Sequence, residues 1–175
     1  RVIESHNEKI KGLPEKIFPL LCPVQEYKWI DRWDCEIIYS SNEGVENNCI
    51  FKEYKSGPFL FGSDIPTYWT VSYYDPTNYR IQFVLITDQI AITKIDIDIK
   101  DIGAGKSSIS WEMIITALCE GANDNVTKST QNKAKMYLVV LGKALKHYCE
   151  IGEMLNLNKA NLIKMGFSVG VLDLI

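Results

Sequence analysis

The sequence predicts an α+β domain in which a curved antiparallel sheet of seven strands packs against one long helix near the C-terminus. Three observations predict it. Between residues 34 and 118 the apolar residues recur with period two, and between about 128 and 151 they recur with the 3.6 period of a helix. Two short apolar segments, each opened by a proline, separate the first strand from the rest. That order, strand, two short helices, six strands and one long helix, suits an α+β layer architecture without repeat or linker.

Residues 2–11 lack helical spacing and stop at Gly12, so they read as the first strand. Leu13-Pro14-Glu15-Lys16 opens a helix. Proline is tolerated in the first turn, where the amide it lacks would have no partner, and Glu15 complements the positive helix end. Ile17, Phe18, Leu20 and Leu21 form its apolar face before Pro23 stops it, and residues 24–30 make a second short, aromatic segment. Strands follow at 34–39, 48–55, 67–74, 79–86, 90–101 and 107–118. Breakers separate them: Asn42-Glu43-Gly44, Ser56-Gly57-Pro58, Asp75-Pro76 and Gly103-Ala104-Gly105. The plainest strand alternates Ile95, Ile97 and Ile99 with Lys94, Asp96, Asp98 and Lys100, the pattern of a sheet with one wet face.

After Gly121-Ala122-Asn123-Asp124 a helical wheel centred on Leu141 gathers Thr130, Ala134, Tyr137, Leu138, Ala144, Leu145 and Tyr148. Lys128, Lys135, Lys143 and Lys146 fall opposite, as a solvated face. Residues 1–152 therefore read as one domain and 153–175 as an apolar extension. Leu155, Leu157, Leu162, Ile163, Met165, Phe167, Val169, Val171, Leu172, Leu174 and Ile175 are too apolar for a free tail. They must dock on their own domain, on a second subunit as a homodimer contact, which is the preferred expectation, or at a cavity mouth.

Composition narrows the function. The 175 residues are 46% hydrophobic, and Lys+Arg 19 against Asp+Glu 22 leaves a net charge of −3. That balance disfavours nucleic acid, whose phosphates call for clustered cations, and no apolar run reaches the ~20 residues of a membrane span. Two histidines, His6 and His147, rule out chemistry that needs several imidazoles. The five cysteines, Cys22, Cys35, Cys49, Cys119 and Cys149, are odd in number and lack a Cys-x-x-Cys pair, which fits reduced thiols, buried as small apolar groups, in a cytoplasmic protein without a zinc site. Asn125-Val126-Thr127 is a formal glycosylation acceptor read as a chance match. Gly103-Ala104-Gly105-Lys106-Ser107 imitates the end of a phosphate loop but joins two strands, and Gly62-Ser63-Asp64 lacks the second glycine of a nucleophile elbow.

Several segments resemble the SRPBCC superfamily, the helix-grip proteins that include START domains, polyketide cyclases and birch-pollen-allergen proteins. Ile10-Lys11-Gly12-Leu13-Pro14-Glu15-Lys16-Ile17-Phe18-Pro19-Leu20-Leu21 resembles that family's first strand-to-helix junction. Pro23-Val24-Gln25-Glu26-Tyr27-Lys28-Trp29-Ile30 with Trp33 is similar to the second helix of its polyketide cyclase/dehydrase-like branch. Trp69-Thr70-Val71-Ser72-Tyr73-Tyr74-Asp75-Pro76, followed by Arg80-Ile81, resembles its hairpin. The likeness runs from about residue 2 to residue 152. It implies a helix-grip fold and a small hydrophobic or amphipathic ligand, such as a lipid or polyketide-like molecule, in a cavity between sheet and helix. Neither a metal nor a covalent cofactor is implied, and catalysis belongs to some members only.

Candidate cavity-lining residues are the bulky side chains in the inward phase: Phe51, Trp69, Phe83, Trp111 and Met113 on strands, with Tyr137 and Leu141 on the helix. The same residues suit a solid core. Tyr73 and Tyr137 could supply orienting hydroxyls, and Tyr27, Trp29 and Trp33 cluster where they would cap the mouth or pin the short helices. Glu4, His6 and Glu8 share a face of the first strand; water is the preferred neighbour, with acid–base work if the face turns inward. Glu53, in phase with Cys49 and Phe51, is a candidate inward carboxylate, and Phe59-Leu60-Phe61 a candidate lid loop. Three functions remain open: ligand binding, a cyclase/aromatase-type reaction, and a protein-interaction module with a filled cavity.

Overall fold

The computed structural model describes residues 1–42, 44–122, 126 and 128–164, the side chains at 56–58, 128–129 and 159 excepted. Glu43, Asn123, Asp124, Asn125, Thr127 and the tail from Met165 onward, all invoked above, lie outside the described residues.

Strand β1 (Val2–Lys11) leads into helix α1 (Pro14–Ile17), a 3-10 turn (Phe18–Leu21) and helix α2 (Pro23–Glu26). Then come β2 (Cys35–Tyr39), β3 (Ile50–Glu53), helix α3 (Ser56–Phe61), β4 (Thr67–Asp75), β5 (Arg80–Thr87), β6 (Ala91–Gly103) and β7 (Lys106–Ala117). Helix α4 (Lys128–Ile151) and the short α5 (Lys159–Lys164) complete the order. The seven strands form one sheet in the order β1-β7-β6-β5-β4-β3-β2, with every described pairing antiparallel. The last strands therefore return beside the first, and α4 lies chiefly on β1 and more lightly on β7 and α3.

Local chemistry explains the corners. Pro14 occupies the first turn of α1, as the sequence requires, and Gly12 precedes it at φ +136°, where a side chain would be strained. The Gly12 amide donates to Gly105 O at 2.8 Å, and Ser107 Oγ donates to Gly12 O at 2.7 Å. This ties the β1 exit to the β6–β7 hairpin. The Gly103–Lys106 turn, which imitates a phosphate loop in sequence, is that hairpin.

Four expectations are corrected. Residues 56–61 form a helix rather than a break and loop; Leu60 is buried and the Phe59 ring meets Tyr137 at 5.8 Å, so this segment packs inward. The second short segment is helical only over Pro23–Glu26. Cys119 is exposed, whereas Cys22 and Cys49 are buried. Glu4, His6 and Glu8 do not face water: they share the face of buried Val2 and Ile10, which lies under α4, with Glu8 buried and Glu4 and His6 half-buried. The extension up to residue 164 docks on its own domain, since the Leu157 amide donates to Asp31 Oδ2 at 2.9 Å and Leu162 is buried.

Candidate functional site

Strand register assembles the concave face row by row, because every second residue of each strand points the same way. One row runs Glu53, Thr67, Thr87 across β3, β4 and β5. The next runs Phe51, Trp69, Leu85, Thr93, Ile115, and the third Val71, Phe83, Ile95, Met113, with Glu4 on β1. A fourth carries Ile81, Ile97 and Trp111 to His6.

Four of the aromatic candidates meet on this face. The Phe51 and Trp69 rings stack at 5.2 Å, and Phe83 stands edge-on to both, at 6.2 and 5.5 Å. Trp33 closes the group from the α2–β2 connection, edge-on to Phe51 at 6.3 Å and to Trp69 at 6.2 Å. All four are buried. These offset and edge-on geometries are the favourable ones for ring quadrupoles. Trp111 and Met113 continue the wall beneath α4, where Trp111 stacks on His6 at 6.0 Å. Tyr137 and Leu141 are half-buried against this core from the helix side.

Two candidates are elsewhere. Register slips between Val71 and Tyr73, so Tyr74 takes the inward phase against Ile81 while Tyr73 turns to the outer face, 45% exposed, with its hydroxyl donating to Asp75 Oδ2 at 3.2 Å. A bulge of this kind inverts the alternation after it. Tyr27 is 44% exposed and clamps the chain: its hydroxyl donates to Cys35 O and accepts from the Cys35 amide, both at 2.9 Å.

A polar group adjoins the aromatic wall. Glu53 is buried on β3, accepting a hydrogen bond from the Lys55 amide, and Thr67 Oγ1 and Thr87 Oγ1 share one at 3.0 Å. Glu26, at the end of α2, joins them. Burial, and after it the negative charge of Glu53, push the Glu26 carboxyl well above its ordinary range. The same enclosure, with Glu26 as a further contributor, pushes the neighbouring Cys35 thiol up to about 11, so that it is no nucleophile at neutral pH. Glu26 is the residue sequence reasoning missed. It ends a one-turn helix too short to show a periodic face, and nothing in its spacing announces that Glu53 will be its neighbour.

The indole N–H groups differ. Trp29 Nε1 donates to Leu20 O at 2.8 Å and Trp33 Nε1 to Pro23 O at 2.9 Å, but Trp69 Nε1 is buried with no hydrogen-bond partner. Such an orphan costs about 1–3 kcal/mol. His6 Nε2 is the other buried orphan among the described residues, 3.5 Å from Glu8 Oε2. Burial pulls the His6 imidazole below its ordinary value, although Glu8 works in the opposite direction.

A trough of about 660 Å³ opens on the outer face of the sheet among Tyr73, Arg80, Gln82, Asp96, Asp98 and Glu112. Its polar groups are matched to one another: Arg80 Nε lies 3.5 Å from Asp98 Oδ2, and Gln82 Nε2 donates to Asp96 Oδ1 at 2.6 Å. An apolar ligand would find little there to bury against. Among the described residues no three His, Cys, Asp or Glu side chains gather to hold a metal ion, and no helix is long and apolar enough to cross a membrane.

No protein-family model matches the sequence, and no curated protein matches it. Solved structures do. A START superfamily protein from Mycobacterium smegmatis superposes with a TM-score of 0.62 at 14% identity, covering 85% of this chain and 97% of that one. The Zhui aromatase/cyclase from Streptomyces sp. R1128 gives 0.62 at 6% identity, covering 87% and 98%. The di-domain ARO/CYC BexL from the BE-7585A biosynthetic pathway gives 0.60 at 9% identity over 85% of this chain, which spans only 47% of that longer protein. Identities this low carry the fold and not the activity. With its sheet curved against α4 and its short helices between β1 and β2, the chain has an SRPBCC-type helix-grip fold.

Proposed function

We propose that the protein binds a small hydrophobic or amphipathic molecule, of lipid or polyketide-like character, on the concave face between the sheet and α4. The observation that carries this reading is the position of the aromatic group. Phe51, Trp69 and Phe83 lie on β3–β5, whereas α4 is spent mainly on β1, so the aromatic wall belongs to the part of the sheet that the long helix covers least. Pockets for small molecules are typically apolar and aromatic with a few polar groups for orientation, which matches Trp33, Phe51, Trp69 and Phe83 beside Glu26, Glu53 and Thr67.

A cyclase/aromatase-type reaction is the second reading, favoured by the Glu26–Glu53 pair. Two neighbouring carboxyls, one of them pushed well above its ordinary range by burial and by the charge of the other, are the arrangement from which an acid and a base can be drawn. Native mass spectrometry of gently purified protein tests binding. A co-purifying small molecule, or a thermal upshift with lipids or polyketides, is the expected result; protein that is consistently empty and unshifted overturns it. Turnover of a bound polyketide that is lost in Glu53→Gln would move the assignment to the enzyme.

A further inference from the structure

We propose that Trp69 Nε1 and the Glu26–Glu53 pair form a polar anchor at one end of the aromatic wall, and that this anchor selects ligands whose head is a neutral oxygen, a hydroxyl or ketone, over both hydrocarbon and anionic heads. The inference rests on the ligand-binding reading above and adds the head-group class to it.

Geometry places the three groups together. Phe51 pairs with Trp69 and Glu53 with Thr67, so Trp69 and Glu53 are diagonal neighbours on one face of adjacent strands. Diagonal neighbours lie about 7–8 Å apart at the backbone, within reach of long side chains. Glu26 comes from above: Trp33, whose indole is fastened to Pro23 O on α2, stands edge-on to Trp69, and Cys35, which pairs with Glu53, feels the Glu26 carboxyl. Glu26 and Glu53 therefore face one another one diagonal step along the sheet from Trp69.

Chemistry then decides what fits. Trp69 is 5% exposed, and its N–H meets no acceptor among the described residues. Trp29 and Trp33 show that this chain satisfies buried indoles with carbonyl oxygens where it can. A ligand oxygen is the missing acceptor. A hydrocarbon end leaves the N–H orphaned, and a site built to hydrogen-bond oxygen discriminates strongly against an analogue without it. A carboxylate or phosphate would accept from Trp69 but would bring a negative charge against the carboxyl pair in a poorly solvated corner. A neutral hydroxyl or carbonyl meets neither objection, and a hydroxyl can also donate to a carboxylate oxygen.

The test uses three probes with one fused-ring body: 1-naphthol, 1-methylnaphthalene and 1-naphthoate. Affinities are read at pH 7 by isothermal titration calorimetry on the whole chain. Wild-type protein is expected to bind 1-naphthol at least tenfold more tightly than either other probe. Trp69→Phe should bring naphthol and methylnaphthalene within about threefold of each other, with naphthol losing more affinity than methylnaphthalene. Glu53→Gln, which keeps the side chain's shape, should raise naphthoate affinity about tenfold and serves if Trp69→Phe does not fold. Equal binding of naphthol and methylnaphthalene by the wild type, or a naphthol preference that survives Trp69→Phe, overturns the anchor while leaving the ligand-binding reading intact. Failure of all three probes to bind, alongside lipids and polyketides that give no thermal shift, overturns both.

Discussion

The imidazole of His6 occupies the space that a side chain on Gly142 would need: a Cβ there would lie 2.7 Å from His6 Nε2 and 2.8 Å from Cδ2. Helix α4 therefore approaches β1 closely enough to press its backbone onto a ring that is itself backed by Trp111 at 6.0 Å. Alanine at 142 would gain about 1 kcal/mol of helix propensity but would press on a ring that Trp111 backs. Gly142→Ala is expected to lower stability by about 1–2 kcal/mol in denaturant unfolding, since overpacking a core contact outweighs propensity. In a His6→Ala background the same substitution should become neutral or stabilising, and simple additivity of the two changes would disprove the contact.

Beside that contact, Glu8 takes two lysines from α4, with Lys143 Nζ at 3.0 Å and Lys146 Nζ at 3.2 Å. The lysine face expected to be merely solvated thus fastens the helix to the strand. Burial alone would raise the Glu8 carboxyl, but hydrogen bonds from Lys143 and Lys146 outweigh it and hold the group below its ordinary 4.5. The folded chain therefore binds that proton less readily than the unfolded chain. Its contribution to stability is complete above pH 4.5 and is lost as pH falls through the lower folded value. Glu8→Gln should cost about 1–3 kcal/mol at pH 7. The deficit should shrink on acidification, and a deficit independent of pH would assign the loss to packing alone.

What was legible in the sequence follows from where the local pattern is also the tertiary one. Ile95, Ile97 and Ile99 alternate without interruption and β6 is central in the sheet, so pattern and burial agree. Phe51, Trp69, Phe83, Trp111 and Met113 fall inward for the same reason. Tyr73 does not, because the slip after Val71 reverses the phase without any glycine or proline to signal it. The charged face of β1 looked solvent-exposed because its partners, Lys143 and Lys146, stand more than a hundred residues later. The Glu26–Glu53 pairing is likewise a product of topology. A carboxylate on a short helix has no period from which its partner can be read.

That pair reverses the pH argument made for Glu8. Burial and the Glu53 charge raise the Glu26 carboxyl in the folded state above its unfolded 4.5, so the folded chain binds this proton more readily. Stability from this group is present below pH 4.5 and declines as pH rises from there toward the folded value. Among the described residues, Glu53 and Cys35 are the titratable groups that interact with it. Glu26→Gln, which mimics the protonated form, is expected to raise the thermal midpoint at pH 8 and to leave it nearly unchanged at pH 4. A midpoint lowered at pH 8 would mean that the ionised Glu26 carboxylate is itself a stabilising partner.

The extension supplies the last prediction. Its Leu157 amide donates to Asp31 Oδ2 at 2.9 Å, Leu155 packs against the core, and Leu162 of α5 is buried. Asp31 lies between Trp29 and Trp33, so the strap is fastened next to the aromatic corner rather than to the far end of α4. Burying a leucine contributes about 2 kcal/mol, and the amide–carboxylate bond adds to it. Removing the residues after Glu153 is therefore expected to destabilise the domain by about 2–4 kcal/mol. Asp31→Asn should reproduce a smaller part of that loss. Because residues up to 164 dock on their own chain, the deletion should lower the unfolding midpoint equally at every protein concentration. Light scattering distinguishes the alternative: a halved molar mass on truncation, with a stability loss that fades at high dilution, would make the extension a dimer contact instead.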